Sequence, residues 1–455
     1  MKIEKEIRKE LDKRLAPPDF SKISASLEGA SKRRITPTWK KVLVAGSLSA
    51  IILAGTGTGL YFGLQERLDS ANPSYSDYPV HANRKELKLE NKDNIASRAV
   101  ELLSPFLDVE GANRVLSPAS FALCMGASLK ISTHVEDFAK AMGFSQDVDS
   151  DFNALFDGLN WVEEQRGGRL ETASSIRTAT LVQQVGDSCR IDPEKAEEVG
   201  EGRIPTCIST SDSYLKDAEK VFEEAIGLEL SIPNKDNPPP MEGLVIYNAL
   251  KLQDSLKNPE KGRKQAFHAE DGSTEEGTFL TLSPETGETY SYYKGENYSA
   301  LRVPVRFTDL LYILPDEGYT LFDVDLSKAY DAFTANNYRT LVEGYYPHFE
   351  ASTYVKLSSI LNGLLNGEQR WSDKILEDGV PRILFPEDIF QISTFRFDEN
   401  GVAGESLTYM TEPISPGPGG DEEEDYVLFE CDRPFYCISL YDDFPLFINR
   451  IATLS

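Results

Sequence analysis

Twenty-three consecutive residues, Val42 to Leu64, carry no charge, and no other feature of this 455-residue chain restricts its architecture so strongly. Wound as a helix, the run would rise about 34 Å, enough to cross a hydrocarbon core of about 30 Å. The preceding 41 residues hold twelve Lys/Arg, among them Lys32, Arg33, Arg34, Lys40 and Lys41, against six acids. The chain as a whole has 47 basic and 74 acidic residues, net −27, so the remainder carries −33. Basic residues flanking an apolar span stay on the cytoplasmic side. The pattern therefore predicts a cytoplasmic basic tail (1–41), a transmembrane helix (42–64), an extracellular stalk (65–90) with Pro73 and Pro79, and an outer domain (91–455). A cleaved signal peptide fits poorly, since its charged region would be 41 residues long and no A-x-A site follows. The expected location is the cell membrane, with one span, the N-terminus inside and the C-terminal domain outside.

So acidic a chain is not built to grip nucleic acid. With 40% hydrophobic and 10% aromatic residues it can bury a real core. Ile95, Ala99, Val100, Leu103 and Leu107 form a helical stripe, and Ser117-Pro118 reads as a second helix start. Later segments turn strand-like: 244–250, 299–305, 310–314 and 389–397 are β-branched or aromatic runs bounded by turns. Helices first and strands later predict one large α+β domain. The four histidines, His81, His134, His268 and His348, lack metal-ligand spacing, and neither G-x-S-x-G nor G-x-x-x-x-G-K-[ST] occurs. No enzyme, metal site or cofactor is predicted. Of the five cysteines, Cys189 and Cys207 bracket a polar stretch and are a candidate disulfide; Cys431 and Cys437 are a second possible pair, and Cys124 reads as core. The run Asp421–Asp425 reads as a solvated acidic loop.

Six segments stand in a familiar order. Asn113-Arg-Val-Leu-Ser117-Pro118-Ala-Ser120 resembles the serpin segment Asn-x-x-x-Ser-Pro-x-Ser, and Leu244-Val-Ile-Tyr-Asn248-Ala249 resembles that family's Leu-Val-x-x-Asn-Ala strand. Phe267-His-Ala-Glu-Asp271-Gly272 is similar to its Phe-x-x-x-Asp-Gly turn, and Leu311-Tyr-Ile-Leu314-Pro315-Asp316-Glu317 to its Leu-Pro-x-Glu strand end. Phe397-Asp398-Glu399-Asn-Gly401 resembles the hinge Val-x-Glu-x-Gly, while Pro434-Phe435 and Pro445–Ile451 resemble the closing strand pair. The resemblance spans about residues 91–455. It implies three β-sheets, eight or nine helices and an exposed reactive loop near the C-terminus. In function it implies a trap for serine or cysteine proteases, with the cut loop inserting as a new strand in the central sheet; joined to the expected span at 42–64, this gives a membrane-tethered, extracellular inhibitor.

Insertion requires one strand face that can be buried. From hinge residues Glu399 and Gly401 onward, Val402, Gly404, Ser406, Thr408 and Met410 alternate as small or uncharged residues. Ala403, Glu405, Leu407 and Tyr409 fall on the other face, where Glu405 can stay in water. Family spacing puts the cleaved bond near Ser415. Because Ser415-Pro416 is a poor bond, Ile414-Ser415 is the candidate, suited to an elastase- or subtilisin-like protease. The resemblance also implies a sheet-opening polar cluster of Ser117, Ser120, Asn248 and Gln391.

The chain departs from the family at several points. Val402, Gly404, Glu405 and Leu407 break the usual Thr and Ala run, and Gly401 to Pro434 is roughly eight residues longer than usual. Gln391 stands where the family has His and Leu256 where it has Trp; the helix motif Asn-x-Trp-Val that lies over the central sheet has no clear counterpart. A non-inhibitory binding or structural module on the same fold is therefore the alternative reading.

Overall fold

The computed structural model describes residues 87–454 apart from 163–173, 188, 229–231, 240, 257–261, 362–369, 379–387 and 410–426. In chain order its elements are α1 (Lys92–Leu103), β1 (Arg114–Leu116), α2 (Pro118–Lys130), α3 (Glu136–Ala141), α4 (Val148–Gly158), β2 (Trp161–Val162) and β3 (Ser175–Val185). There follow α5 (Pro193–Gly200), β4 (Thr206–Ser209), α6 (Tyr214–Ile226), β5 (Gly243–Ser255), β6 (Arg263–His268), β7 (Thr274–Leu282), β8 (Thr289–Lys294) and β9 (Tyr298–Pro304). The chain then forms β10 (Asp309–Pro315), α7 (Leu326–Asn336), β11 (Tyr338–Pro347), β12 (Phe349–Lys356), β13 (Phe390–Asp398), β14 (Gly401–Tyr409), β15 (Val427–Glu430), β16 (Phe435–Tyr441) and β17 (Phe444–Ile451).

The central sheet has the order β12-β13-β14-β5-β3-β2, with β4 added parallel to the far end of β3. A second sheet runs β1-β17-β16-β10-β9-β8 and continues into β11. There the strand changes partners: its first half pairs with β8 and its second half with β7 and, in parallel, with β15. Strands β6, β7, β11 and β15 thus make a third small sheet.

Helix α2 holds these layers together. Ser117 caps it, extended in backbone and accepting a hydrogen bond from the Ser120 N–H, while Pro118 occupies the first position, where a missing N–H costs nothing. All thirteen of its residues are buried, so no polar face is left and the helix lies wholly inside the domain. Stacked aromatics fill the space where the sheets meet, with Phe349 against Phe395 at 5.7 Å and Tyr346 against Phe397 at 6.0 Å between ring centres.

The expected strand runs lie in β5, β9, β10 and β13, the stripe Ile95 to Leu103 lies on α1 with Leu107 beyond its end, and α2 begins at Pro118 as expected. Several expectations are corrected. Seven α-helices stand among the described residues. Among them no helix is long and apolar enough to cross a membrane, and the expected span at 42–64 lies outside the described residues. On that finding the single-pass membrane location is withdrawn. Leu87 and Leu89, at the end of the stretch expected as a stalk, are buried against the domain, and the Leu87 N–H donates to Asp442. No disulfide joins Cys189 and Cys207; Cys207 sits on β4 inside the main core, whereas Cys189 is buried apart from it. Although the Asn-x-Trp-Val motif has no clear counterpart, a helix covers the central sheet: α6, whose Tyr214, Leu215, Ala218, Val221 and Phe222 are buried, Phe222 lying 6.0 Å edge-on from Tyr247.

The largest correction concerns the loop. Instead of standing exposed, Gly401–Tyr409 forms β14, a strand in the middle of the central sheet.

Candidate functional site

The site begins at the two-residue turn Glu399-Asn400. Asp398 accepts from the Asn400 N–H at 2.7 Å and receives Arg396 at 3.1 Å, which braces the reversal. Gly401 follows with φ +120°, a backbone state that side chains avoid, and a Cβ there would lie 2.1 Å from the Asp254 carbonyl oxygen. From that point all nine residues of β14 pair on both sides, with Asp398–Phe390 of β13 and with Ser255–Tyr247 of β5.

The alternation in the segment decides which side faces the interior. Val402 is buried, Gly404 lies under the Phe447 and Phe395 rings, and the Ser406 hydroxyl meets the Ser393 hydroxyl at 2.9 Å. On the other face Ala403 is half-buried. Glu405 is not left to water: its carboxylate lies 3.0 Å from Lys251 Nζ, at 18% side-chain exposure. Leu407 is fully buried although it shares that outward face. Thr408 sits in register between Gln391 and Asn248.

Those two residues belong to one hydrogen-bond chain with Ser117 and Ser120, all four side chains being inaccessible to solvent. The Gln391 amide accepts from Ser117 N–H at 2.8 Å and donates to Ser117 C=O at 3.1 Å. Ser117 Oγ donates to Leu446 C=O and accepts from Ser120 N–H, and Ser120 Oγ donates to Asn248 C=O at 3.1 Å. Asn248 Nδ2 is within reach of Thr178 Oγ1, Thr180 Oγ1 and Ala179 C=O. An amide at 391 both donates and accepts without titrating, so the chain closes at any pH. The acidic run Asp421–Asp425 and the candidate bond Ile414-Ser415 lie outside the described residues, as does Met410.

Two further residues support the hinge without carrying any signal in the sequence. Asp254, on β5 opposite Val402, gathers the N–H groups of Arg306, Phe307 and Thr308 and the Thr308 hydroxyl onto one carboxylate oxygen. It ties the hinge end of the central sheet to the β9–β10 turn. His348, at the β11–β12 corner, stacks edge-on against Phe397 and lies 3.9 Å from Glu399 of the turn.

Burial lowers the His348 pKa, opposed by the nearby Glu399 and Asp398 charges and assisted by Lys264. Its folded pKa is therefore below the unfolded value of about 6.5. In the window between the two, the unfolded chain binds more protons. Stability contributed here is full above about pH 6.5 and is lost as pH falls through the folded pKa. Melting curves between about pH 5 and 7.5 should show the native protein losing stability on the acid side relative to His348→Gln, with the two parallel above about pH 6.5. Parallel curves throughout would show that His348 is not held neutral.

No protein-family profile matches this chain, and no curated protein matches its sequence. Solved structures do match its shape. The thermophilic serpin tengpin in its latent state superposes with a TM-score of 0.62 at 16% identity, covering 83% of this chain and 100% of that one. The chain has the serpin fold. Cleaved Serpin 42Da is similar with a TM-score of 0.60 and 18% identity, over 80% of this chain and all of the other. Thyroxine-binding globulin in complex with thyroxine reaches 0.59 at 14% identity, over 80% and 99%.

Proposed function

We propose that this protein inhibits serine or cysteine proteases by offering the segment after Gly401 as substrate and taking its N-terminal part into the central sheet once the bond is cut. The observation that carries this reading is β14 itself, nine residues in continuous register between β13 and β5 with small residues turned inward. A sheet that accepts this strand supplies the driving force. It gains two ladders of backbone hydrogen bonds and buries Val402 and Leu407.

In the proposed mechanism the protease nucleophile attacks the Ile414 carbonyl, the Ile414–Ser415 bond breaks, and the enzyme is held as an acyl ester or thioester on Ile414. Insertion then draws the acylated enzyme along the sheet before water can release it. The aliphatic Ile414 suits an elastase- or subtilisin-like partner. The hydrogen-bond chain through Gln391, Ser117, Ser120 and Asn248 borders the path of the strand and governs how readily β13 and β5 part.

A second reading, a non-inhibitory module, is favoured by one observation: β14 already lies in the sheet in a chain with no cut. A protein resting in that state has no strand left to insert. Incubation with an elastase- or subtilisin-like protease distinguishes the two. Inhibition gives a covalent adduct that survives denaturation, together with a rise of tens of degrees in Tm after loop cleavage. Cleavage with neither adduct nor rise supports the module.

A further inference from the structure

The row of the central sheet that contains Glu405 is unusual in charge. Arg177 on β3 and Lys251 on β5 are directly opposite each other, and Glu405 on β14 is directly opposite Lys251. Two cations facing one another across a ladder repel, so a local anion or dipole must hold them. Part of that comes from α6. Its last turn has no basic residue, and its final carbonyls are met instead by the sheet: Arg177 Nη2 donates to Ala225 C=O at 3.0 Å and Lys251 Nζ donates to Gly227 C=O. The partial negative charge at a helix C-terminus favours cations there. Glu405 supplies the rest, 3.0 Å from the same ammonium.

We infer that Lys251 is the positioning residue that sets the register of β14: its ammonium, held by the C-terminus of α6, receives Glu405 and so fixes where the strand stops. A slip of one residue turns the small face outward and is excluded by packing. A slip of two keeps every residue on its proper face, so the inward row discriminates against it less sharply. Such a slip moves Glu405 between Ala249 and Ile392, where no cation stands, or between Gln253 and Arg396, where the one cation is already engaged by Asp398. The pair therefore separates registers that the alternation leaves alike. It also couples the strand to the covering helix, since the group that receives Glu405 is the one that caps α6.

This inference rests on the strand insertion proposed above, and the test separates the two. Amide hydrogen exchange of the full-length chain, cut beforehand by a subtilisin-like protease after Tyr409, is read over Val402–Leu407 in the wild-type protein, E405Q, E405K and K251E/E405K. The wild-type amides should be protected in the cut form. E405Q should lower protection about tenfold and E405K by considerably more, as expected for loss and then reversal of a partly buried charged hydrogen bond. Because K251E also removes the Gly227 contact, the double swap should recover a part, not the whole, of the E405K loss. Equal protection in all four proteins overturns the role of Lys251 and leaves insertion standing. An unprotected strand in the cut wild-type protein overturns the insertion reading and this inference with it.

Discussion

If the chain inhibits as proposed, replacing Gly404 by Asp should abolish insertion and turn it from inhibitor into substrate. A Cβ at 404 would lie 2.7 Å and 2.8 Å from two atoms of the Phe447 ring and 3.1 Å from Phe395. Both rings are buried and packed on each other at 5.4 Å, so neither can retreat far. The carboxylate would then enter a dry space on the inward face without a partner, which costs several kcal/mol or more beyond the overlap. The expected results are loss of the protease adduct and a gain in Tm on loop cleavage that shrinks from tens of degrees to a few. Gly404→Ala, which adds the overlap without the charge, should fall between. If Gly404→Asp keeps the full gain, the strand does not insert with 404 facing Phe447.

Gly401→Ala should act at the other end of the strand and more locally. The residue sits at φ +120°, and its Cβ would meet Asp254 O at 2.1 Å, Ser255 Cα at 2.7 Å and Leu256 N at 2.9 Å. These are backbone atoms of a paired strand, and Asp254 is further held by the four donors on its carboxylate, so they do not move aside. Backbone strain plus overlap amounts to about 2–4 kcal/mol against the inserted state. Hydrogen exchange of the loop-cleaved protein should show protection lost over 401–403 while the Leu407 end stays slow. Uniform protection along the strand would show that the hinge does not take this conformation.

Much of this arrangement is legible in the amino-acid sequence. The alternation from Val402 to Ser406 identifies the buried face because a strand has period two, and Ser117-Pro118 marks the start of α2 because those residues suit a cap and a first turn. Other segments are hidden for specific reasons. β3 reads SIRTATLVQQV, and its Thr178, Thr180 and Gln183 are buried with their polar atoms hydrogen-bonded. A strand covered on both faces need not alternate, so its polarity conceals it. Helix α6 escapes a search by family motif because the chain lacks that motif, although Tyr214, Leu215, Ala218, Val221 and Phe222 carry the helical spacing in plain view. The pairing of Glu405 with Lys251 is beyond the reach of sequence, because residues so distant in the chain meet only once the register is known. The thiols mislead because sequence shows the polarity around a cysteine but not which layer receives it.

The five cysteines are all buried and none is in a disulfide. Cys124 lies on α2 beneath the central sheet, its Sγ 3.5 Å from Ile246 O, and burial raises its pKa well above the ordinary thiol range. Cys207 sits on β4, Cys431 follows β15, and Cys437 is in the middle of β16. Buried protonated thiols are inert to alkylation until their surroundings open. The protein thus carries a set of dormant chemical clocks in different layers. The order in which they take up a maleimide during slow denaturation would report which layer parts first, without any label having to be introduced.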